Sequence, residues 1–163
     1  MLNEINYCKK KLKKKIFKFK AIIIVVIGIM AFLDLFGKKQ VVTSKGDYEV
    51  NFELHPFRLV AGKNNSIDLK IQVTNTSGRN LLTAVVLKTQ KTLGFDQSAI
   101  SQEREIRLGE MLPNEVKNLT IPVYATQRTT KGDYKVLIYV ISHYRNYSYV
   151  LNEIRVEVPI RVT

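Results

Sequence analysis

The chain has 163 residues, a formal net charge of +12 and one cysteine, Cys8. Its length allows one domain of ordinary size with an appendage, and a single cysteine excludes both a disulfide framework and a multi-cysteine zinc site. The sequence holds no phosphate-binding loop, no G-x-S-x-G motif, no histidine-based metal motif and no pair of carboxylates with supporting groups. We therefore predict no catalytic residue, no cofactor and no bound metal, and a protein that is not an enzyme.

The basic charge is concentrated at the N-terminus. Residues 1–20 hold eight lysines and one acidic residue, a net charge of +7, whereas residues 38–163 hold 18 basic and 12 acidic residues. An apolar run follows the lysine-rich block at once, which an arm that binds nucleic acid does not need. The distribution predicts a basic tail over 1–20 and no nucleic-acid partner.

The apolar run extends from residue 21 to residue 36 and is interrupted by one charge, that of Asp34. A helix of this length spans about 24 Å, and the hydrocarbon core of a bilayer is about 30 Å thick. Apolar residues upstream from Ile16 extend the run, while the lysines between them reach toward lipid headgroups. We predict a transmembrane anchor over 21–37 that contacts membrane lipid through residues 16–37.

Two other interpretations of this segment stay open. A cleaved signal peptide has the same order of basic and apolar regions, although large residues such as Phe32 and Leu33 stand where a signal peptidase requires small ones. A pilin-type leader that is processed near Ala21 also resembles the pattern. In that case the apolar helix would self-associate with copies of itself in a filament.

The asymmetry of the lysines predicts the orientation of the chain. Eight lysines precede the apolar run, while Lys38, Lys39 and Lys45 follow it. Because the denser positive block stays on the cytoplasmic side of a membrane, we predict a single-pass protein of the cell membrane with a cytoplasmic N-terminus. Residues 38–47 then form a linker, and residues 48–163 form an extracytoplasmic domain.

The pattern changes after the linker, where apolar and polar residues alternate with a period of two. The alternation is clear over 48–54, 67–73 and 154–162, and it is typical of strands with one buried face. Further strands are expected near 81–88, 104–108, 116–125 and 134–143. The pattern predicts an all-β protein with an antiparallel β-sandwich of about seven strands.

Two details of the sandwich follow from the residues between and within these strands. Residues 89–103 form the longest irregular connection and are predicted to cross from one sheet to the other. Proline lacks the donor for a ladder hydrogen bond, so the strands that hold Pro122 and Pro159 are expected to be edge strands or to carry bulges.

Three stretches resemble a known class of domains. They are SIDLKIQVTNTSG (66–78), LGEMLPNEVKNLTIPV (108–123) and KGDYKVLIYV (131–140). Together they resemble the immunoglobulin-like CARDB-type adhesion domains and the immunoglobulin-like domains that accompany some alpha-galactosidases. The resemblance covers residues 48–162 and implies an immunoglobulin-like sandwich with an adhesion, scaffold or accessory role and no active site. The order of anchor and sandwich is also similar to that of archaellum stator proteins and other archaeal surface proteins.

Four sequons for N-glycosylation lie on the predicted outer side of the membrane. Their asparagines are Asn64, Asn75, Asn118 and Asn146, and a glycan requires each of them to lie at the surface. Asparagine and serine also populate turns without being modified. The four asparagines are therefore candidate glycosylation sites.

The predicted strand at 134–143 is apolar on both faces, and a hairpin rich in tyrosine follows it. One face should build the core, and the other holds Leu137, Tyr139 and Ile141 where solvent would be expected. Either the 89–103 connection covers this second face or a partner does. The residues predicted to contact a partner are Leu137, Tyr139, Ile141, Tyr144, Arg145 and Tyr147.

The sequence therefore predicts a membrane-anchored, extracytoplasmic immunoglobulin-like protein that binds or scaffolds another surface or membrane protein. Two alternatives remain, which are a pilin-like filament subunit and a carbohydrate-binding accessory module. The position of the native N-terminus separates the first alternative from the anchor, and glycan binding by the domain tests the second.

Overall fold

The computed structural model describes residues 40–42 and 46–163. The predicted basic tail (1–20) and transmembrane anchor (21–37) lie outside the described residues. Every regular element of the described part is a β-strand. The described residues include no helix that is long and apolar enough to span a bilayer.

Seven strands of the described chain have eight residues or more, as the alternating pattern predicted. They are β2 (Tyr48–His55), β4 (Asn65–Asn75), β5 (Leu81–Thr89), β7 (Glu103–Met111), β8 (Val116–Ala125), β9 (Gly132–His143) and β10 (Val150–Val162). Three shorter strands, β1 (Gln40–Val42), β3 (Arg58–Leu59) and β6 (Leu93–Gly94), complete the two sheets.

The strands form two five-stranded sheets that pack face to face around one core. Sheet one has the order β1-β2-β4-β8-β6, and sheet two has the order β3-β10-β9-β5-β7. Every pair is antiparallel except β3 with β10, which is parallel, so the prediction of a wholly antiparallel sandwich is wrong at this pair. After β2 the chain leaves sheet one, and β3 joins sheet two. Strand β3 has only two residues, which are too few to show a period in the sequence.

Strand β1 lies within the segment 38–47, which the sequence analysis interpreted as a linker. It pairs with β2 in antiparallel register, with Gln40 opposite Phe52 and Val42 opposite Val50. The first edge of sheet one is therefore built from residues that precede the predicted domain.

The inward positions of the strands form the core. In β4 the residues Ile67, Leu69, Ile71 and Val73 are all buried, and every second residue of β10 from Ile154 onward is buried as well. A hydrogen bond also joins the sheets, since the hydroxyl of Tyr48 in β2 lies 2.7 Å from Oγ1 of Thr83 in β5. Burial raises the pKa of Tyr48 and exceeds the lowering effect of this hydrogen bond.

Both strand prolines occupy positions where their strand has a neighbour on one side only. Pro122 of β8 pairs with β4, and on the other side β6 reaches only Tyr124 and Ala125. Pro159 of β10 pairs with β9, and β3 reaches only Arg161 and Val162. The missing N–H groups therefore remove no ladder bond on the open sides.

The connection between β5 and β7 reaches sheet one through β6 but begins and ends in sheet two, so the prediction of a crossing that leaves the chain in the other sheet is wrong. It contributes β6 to sheet one and buries Leu93, Phe95 and Ala99 in or against the core. The crossing is tight, because a Cβ atom placed on Gly94 would lie 2.4 Å from the Cα atom of Ala99. The connection is therefore a structural part of the sandwich and does not lie over the outer face of sheet two.

Candidate functional site

The candidate site is the end of the hairpin that joins β9 and β10, and it is built by residues 144–151. The turn closes with a hydrogen bond from the N–H of Tyr144 to the carbonyl oxygen of Tyr149, at 2.8 Å. Arg145 adopts a positive φ of 62° within it. The register between β9 and β10 then shifts between Val150 and Asn152, which marks a β-bulge at the base of the hairpin.

Large apolar side chains are concentrated on this hairpin. Four of the nine exposed large hydrophobic residues of the described chain are Tyr144, Tyr149, Val150 and Leu151, with exposures between 50% and 63%. Because the bulge interrupts the alternation, neither Val150 nor Leu151 turns into the core. We call these four residues the hairpin patch.

Sequence reasoning found Tyr144 but missed Tyr149, Val150 and Leu151. The signal was available in the sequence, since an apolar run over 149–151 leads into β10, whose later residues alternate strictly. Such a run places at least one apolar side chain on the solvent face of a strand.

Tyr147 was predicted to contact a partner, but its side chain is engaged within the domain. Its hydroxyl oxygen accepts a hydrogen bond from the N–H of Gly109 at 3.1 Å, and the guanidinium of Arg107 lies 4.7 Å from the ring centroid. Gly109 has a positive φ of 79° beside a register shift between β5 and β7, where its N–H is turned toward the hairpin. Tyr147 therefore holds the hairpin against β7.

His143 lies beside Tyr147 and packs against it. The two rings meet edge to face with their centroids 5.1 Å apart, and His143 is 8% exposed. Neither ring nitrogen has a hydrogen-bond partner within the described chain. The His143 ring is therefore buried where the hairpin folds onto sheet two.

The apolar outer face of β9 is half-buried by long charged side chains from the neighbouring strands. Leu137 lies between Lys88 of β5 and Glu157 of β10 in the register. Lys88 forms an ion pair with Glu103 at 3.3 Å, and its Nζ lies 6.0 Å from the ring centroid of Tyr139. The stems of such side chains shield apolar surface while their charged ends remain in water.

The six residues that were predicted to contact a partner differ in their exposure. Leu137, Tyr139 and Ile141 are each only partly exposed, and their contact with a partner stays a prediction. Tyr144 and Arg145, in contrast, are exposed at the hairpin. The structure thus separates the six predicted residues into two that are presented to solvent and four that are engaged in the domain.

The four sequons differ in the exposure of their asparagines. Asn64, Asn118 and Asn146 are exposed, as a glycan requires. Asn75 is fully buried, and its Nδ2 donates to the carbonyl oxygens of Arg79, Met111 and Leu112 at 2.7, 3.0 and 3.2 Å. A glycan on Nδ2 would displace these bonds, so Asn75 is a structural residue of the folded domain and not an accessible acceptor.

No cluster of three or more histidine, cysteine, aspartate or glutamate side chains within residues 46–163 is placed to hold a metal ion. What the candidate site offers is an apolar contact surface with one exposed guanidinium. This composition suits recognition of another macromolecule.

Comparisons with known proteins bear on the fold. No protein-family model matches the chain, and no curated protein is significantly similar to it. The chain is similar to the solved structure of an alpha-2-macroglobulin mutant from Salmonella, with a TM-score of 0.52 and 17% identity over 74% of this chain. It is also similar to Escherichia coli alpha-2-macroglobulin from domain MG7 to the C-terminus, with a TM-score of 0.50 and 20% identity over 70% of this chain.

The matched region is a small part of each of these larger proteins, namely 7% and 16% of their chains. At such low identity the similarity shows the fold alone, which is an immunoglobulin-like β-sandwich. The finer resemblance to CARDB-type domains stays a prediction, as does the absence of enzymatic activity.

Proposed function

We propose that the protein is a non-catalytic binding or scaffold protein that contacts another surface or membrane protein through the hairpin patch. In this proposal an N-terminal membrane anchor holds the immunoglobulin-like domain outside the cell. The fold supplies a rigid support, and the hairpin supplies the contact.

The observation that carries the proposal is the concentration of exposed apolar side chains on the hairpin patch. Single exposed apolar residues are ordinary on protein surfaces, whereas a contiguous group indicates an interaction site. Burying one large apolar side chain contributes about 1.5–3 kcal/mol. Tyr144 and Tyr149 also belong to a residue type that is enriched at the energetic centres of interfaces.

The association is tested by substituting one residue of the patch and one matched residue elsewhere. We expect Leu151→Glu to weaken the native complex by about tenfold or more, because a charge replaces an apolar contact of roughly 1.4 kcal/mol or greater. Ile100→Glu is the control, since Ile100 is exposed and apolar but stands apart from the patch.

The measurement is the size of the complex that contains the full-length chain, taken from native membranes under mild solubilisation. Loss of the larger species in Leu151→Glu but not in Ile100→Glu supports the proposal. Equal behaviour of the two variants, with both still folded, would show that the hairpin patch is not the contact.

The membrane topology in the proposal has a separate test. It is motivated by the lysine asymmetry of the N-terminal segment. Protease added to intact cells is expected to remove residues 48–163 and to leave the basic tail protected. Protection of the domain together with cleavage of the tail would reverse the topology.

A further inference from the structure

The outer strand of sheet two has an open edge. Strand β7 pairs with β5 on one side, and no described strand lies on its other side. The N–H of Thr89 donates to the carbonyl oxygen of Gln102 at 2.9 Å where this pairing begins. Because the direction of hydrogen bonding alternates along an antiparallel strand, the N–H and C=O groups of Glu105 and Arg107 point away from β5. They are therefore placed to pair with a strand of another chain.

The other long edge strands of the described sheets are less suited to such pairing. Strands β8 and β10 contain Pro122 and Pro159, and a proline on an edge hinders the addition of a further strand. Short strands also cover one end of each, since β6 pairs with β8 and β3 pairs with β10. Strand β7 contains no proline and has no such cover among the described strands.

The two faces of β7 differ in chemistry at this edge. Glu105 and Arg107 are exposed on the outer face, where Nε of Arg107 lies 2.8 Å from Oε1 of Glu105. Ile106 lies between them on the inner face and packs against the core, while part of its side chain stays exposed. A strand that pairs here must therefore place a cation opposite Glu105, an apolar residue opposite Ile106 and an anion opposite Arg107.

This requirement identifies the partner as a second copy of β7. Read along an antiparallel partner strand, the required order is anion, apolar residue, cation, which is the order of Glu105, Ile106 and Arg107. When Ile106 lies opposite Ile106 of the second copy, Glu105 of each strand lies opposite Arg107 of the other. The next residues in this register are Arg104 and Leu108, which also lie opposite each other, so no like charges meet.

Contacts within the domain limit the pairing to the centre of β7. The N–H of Gly109 donates to the hydroxyl oxygen of Tyr147, and the carbonyl oxygen of Glu103 accepts a hydrogen bond from the hydroxyl of Ser101 at 3.1 Å. The backbone groups between these ends belong to residues 104–108. The pairing is therefore short and closes on itself around a two-fold axis, as the same surface of both copies is used.

We propose that two copies of the chain associate by antiparallel pairing of their β7 strands, centred on Ile106, so that sheet two continues from one domain into the other. The pairs of Glu105 with Arg107 on the outer face fix the register, and Ile106 extends the apolar inner face across the axis. The hairpin patch takes no part in this contact, so the inference does not depend on the proposed function.

A disulfide at the proposed axis tests the pairing in the full-length chain. Cys8, the single cysteine, is replaced by serine, and Ile106→Cys is introduced. Residues opposite each other in a non-hydrogen-bonded antiparallel pair have Cα atoms about 4.5 Å apart, which is a distance that a disulfide can bridge. We expect mild oxidation to produce a disulfide-linked dimer. Ile100→Cys is the matched control, since Ile100 is exposed but lies outside β7, and it should give little dimer.

Charge exchange across the axis sharpens the test. In the Ile106→Cys chain, either Glu105→Arg or Arg107→Glu places like charges opposite each other on both sides of the axis. Each variant is expected to lower the yield of cross-linked dimer by about tenfold. A mixture of the two variants restores both pairs of opposite charge, so the cross-link should return. A mixture of folded variants that does not recover the cross-link would overturn the proposed register.

Strand β10 offers a second arrangement that the same readout separates. It also contains an anion, an apolar residue and a cation in this order, over residues 153–155. Pairing of β7 with β10 of another copy would place Glu103 opposite Glu157 and would build an open row of domains. A cross-link of Ile106→Cys that forms only in a mixture with Ile154→Cys would overturn the β7 pairing.

The outcome is also distinct from that of the proposed function. Leu151→Glu in the Ile106→Cys chain is expected to leave the cross-linked dimer unchanged, because Leu151 lies in the hairpin patch and outside β7. Absence of an Ile106→Cys cross-link would overturn the pairing of β7 strands while the hairpin patch stands. Loss of the cross-link in Leu151→Glu would show that the copies meet through the hairpin, and it would overturn the assignment of β7.

Discussion

Two irregular segments of the domain make opposite use of their apolar residues. The connection 89–103 turns Leu93 and Phe95 into the core, whereas the hairpin 144–151 turns its apolar side chains into solvent. Both segments contain non-glycine residues with a positive φ, namely Thr92 at 78° and Ala99 at 51° in the connection and Arg145 at 62° in the hairpin. Local backbone geometry therefore does not distinguish them.

The difference follows from the strand that the connection contributes. Both segments begin and end in neighbouring strands of sheet two, but the connection includes β6, which pairs with β8 in sheet one before the chain returns to sheet two at β7. Its buried side chains therefore complete the core between the two sheets. The hairpin contributes no strand to the other sheet, and its apolar side chains lie in solvent. Its exposed apolar residues are free to serve binding, and substitutions there should affect association more than folding.

The largest expected change in the free energy of unfolding comes from removing a core side chain of the connection 89–103. Phe95 is 5% exposed and belongs to the core, so Phe95→Ala is expected to lower the free energy of unfolding by about 3–5 kcal/mol. Leu151→Ala in the hairpin is expected to change it by at most about 0.5 kcal/mol. Denaturant unfolding of both variants measures the contrast, and similar losses would show that the hairpin patch contributes to the core.

A smaller effect is expected at Gly94 in the same connection. The added Cβ of Gly94→Ala would meet the backbone of Ala99 at 2.4 Å, and backbone cannot rotate away as a side chain does. We expect a loss of about 1–3 kcal/mol from this overpacking, measured by thermal unfolding. An unchanged unfolding temperature would contradict the tight packing of the connection.

The next effect concerns Tyr147, a hairpin residue whose side chain packs against β7. Tyr147→Phe keeps the ring but removes the acceptor for the N–H of Gly109, so we expect a loss of about 1 kcal/mol. Amide hydrogen exchange at Gly109 should become faster in this variant. If exchange at Gly109 is unaffected, the phenol does not hold the hairpin against β7.

The mildest expected difference is a response to acid. Asp96 of the connection accepts hydrogen bonds from the N–H groups of Ile100 and Ser101 at 2.9 and 3.2 Å and from the hydroxyl of Ser98 at 3.0 Å. Desolvation acts to raise the pKa of Asp96, but these bonds together hold its pKa below the usual value. The carboxylate then stabilises the folded connection above the unfolded-state pKa of about 4, and this contribution is lost as the pH falls through the lower folded-state pKa.

Hydrogen exchange as a function of pH measures this response. On acidification below about pH 4 we expect the amides of Ile100 and Ser101 to lose protection relative to their intrinsic rates. The hairpin 144–151 contains no carboxylate, so its protection should change less. Asp96→Asn should remove the difference, and an equal acid response in both segments would contradict the role of Asp96.

The long strands could be predicted from the sequence because one face of each is buried. Apolar residues occupy four successive alternate positions in β4 and five in β10, and this pattern needs no knowledge of the neighbouring strands. Strands of two or three residues, such as β3 and β6, carry no period of their own. They exist because a partner strand lies beside them, which only the tertiary structure reveals.

The candidate site could be predicted only in part for the same reason. Tyr144 and Arg145 followed from composition, whereas the role of Tyr147 depends on Gly109, which lies 38 residues away in the sequence. The half-burial of Tyr139 depends on Lys88 of an adjacent strand. Contacts between distant residues decide which tyrosines are presented to a partner, and composition alone does not contain them.

Photo-crosslinking from the two segments tests the central claim most directly. A photoreactive amino acid is placed at Leu151 in the hairpin or at Ile100 in the connection, where the native side chains are 51% and 78% exposed. The account predicts a discrete adduct with another protein from Leu151 and none from Ile100, although Ile100 is the more exposed residue. An adduct from Ile100 alone, or the same adduct from both positions, would contradict the assignment of the hairpin patch as the binding surface.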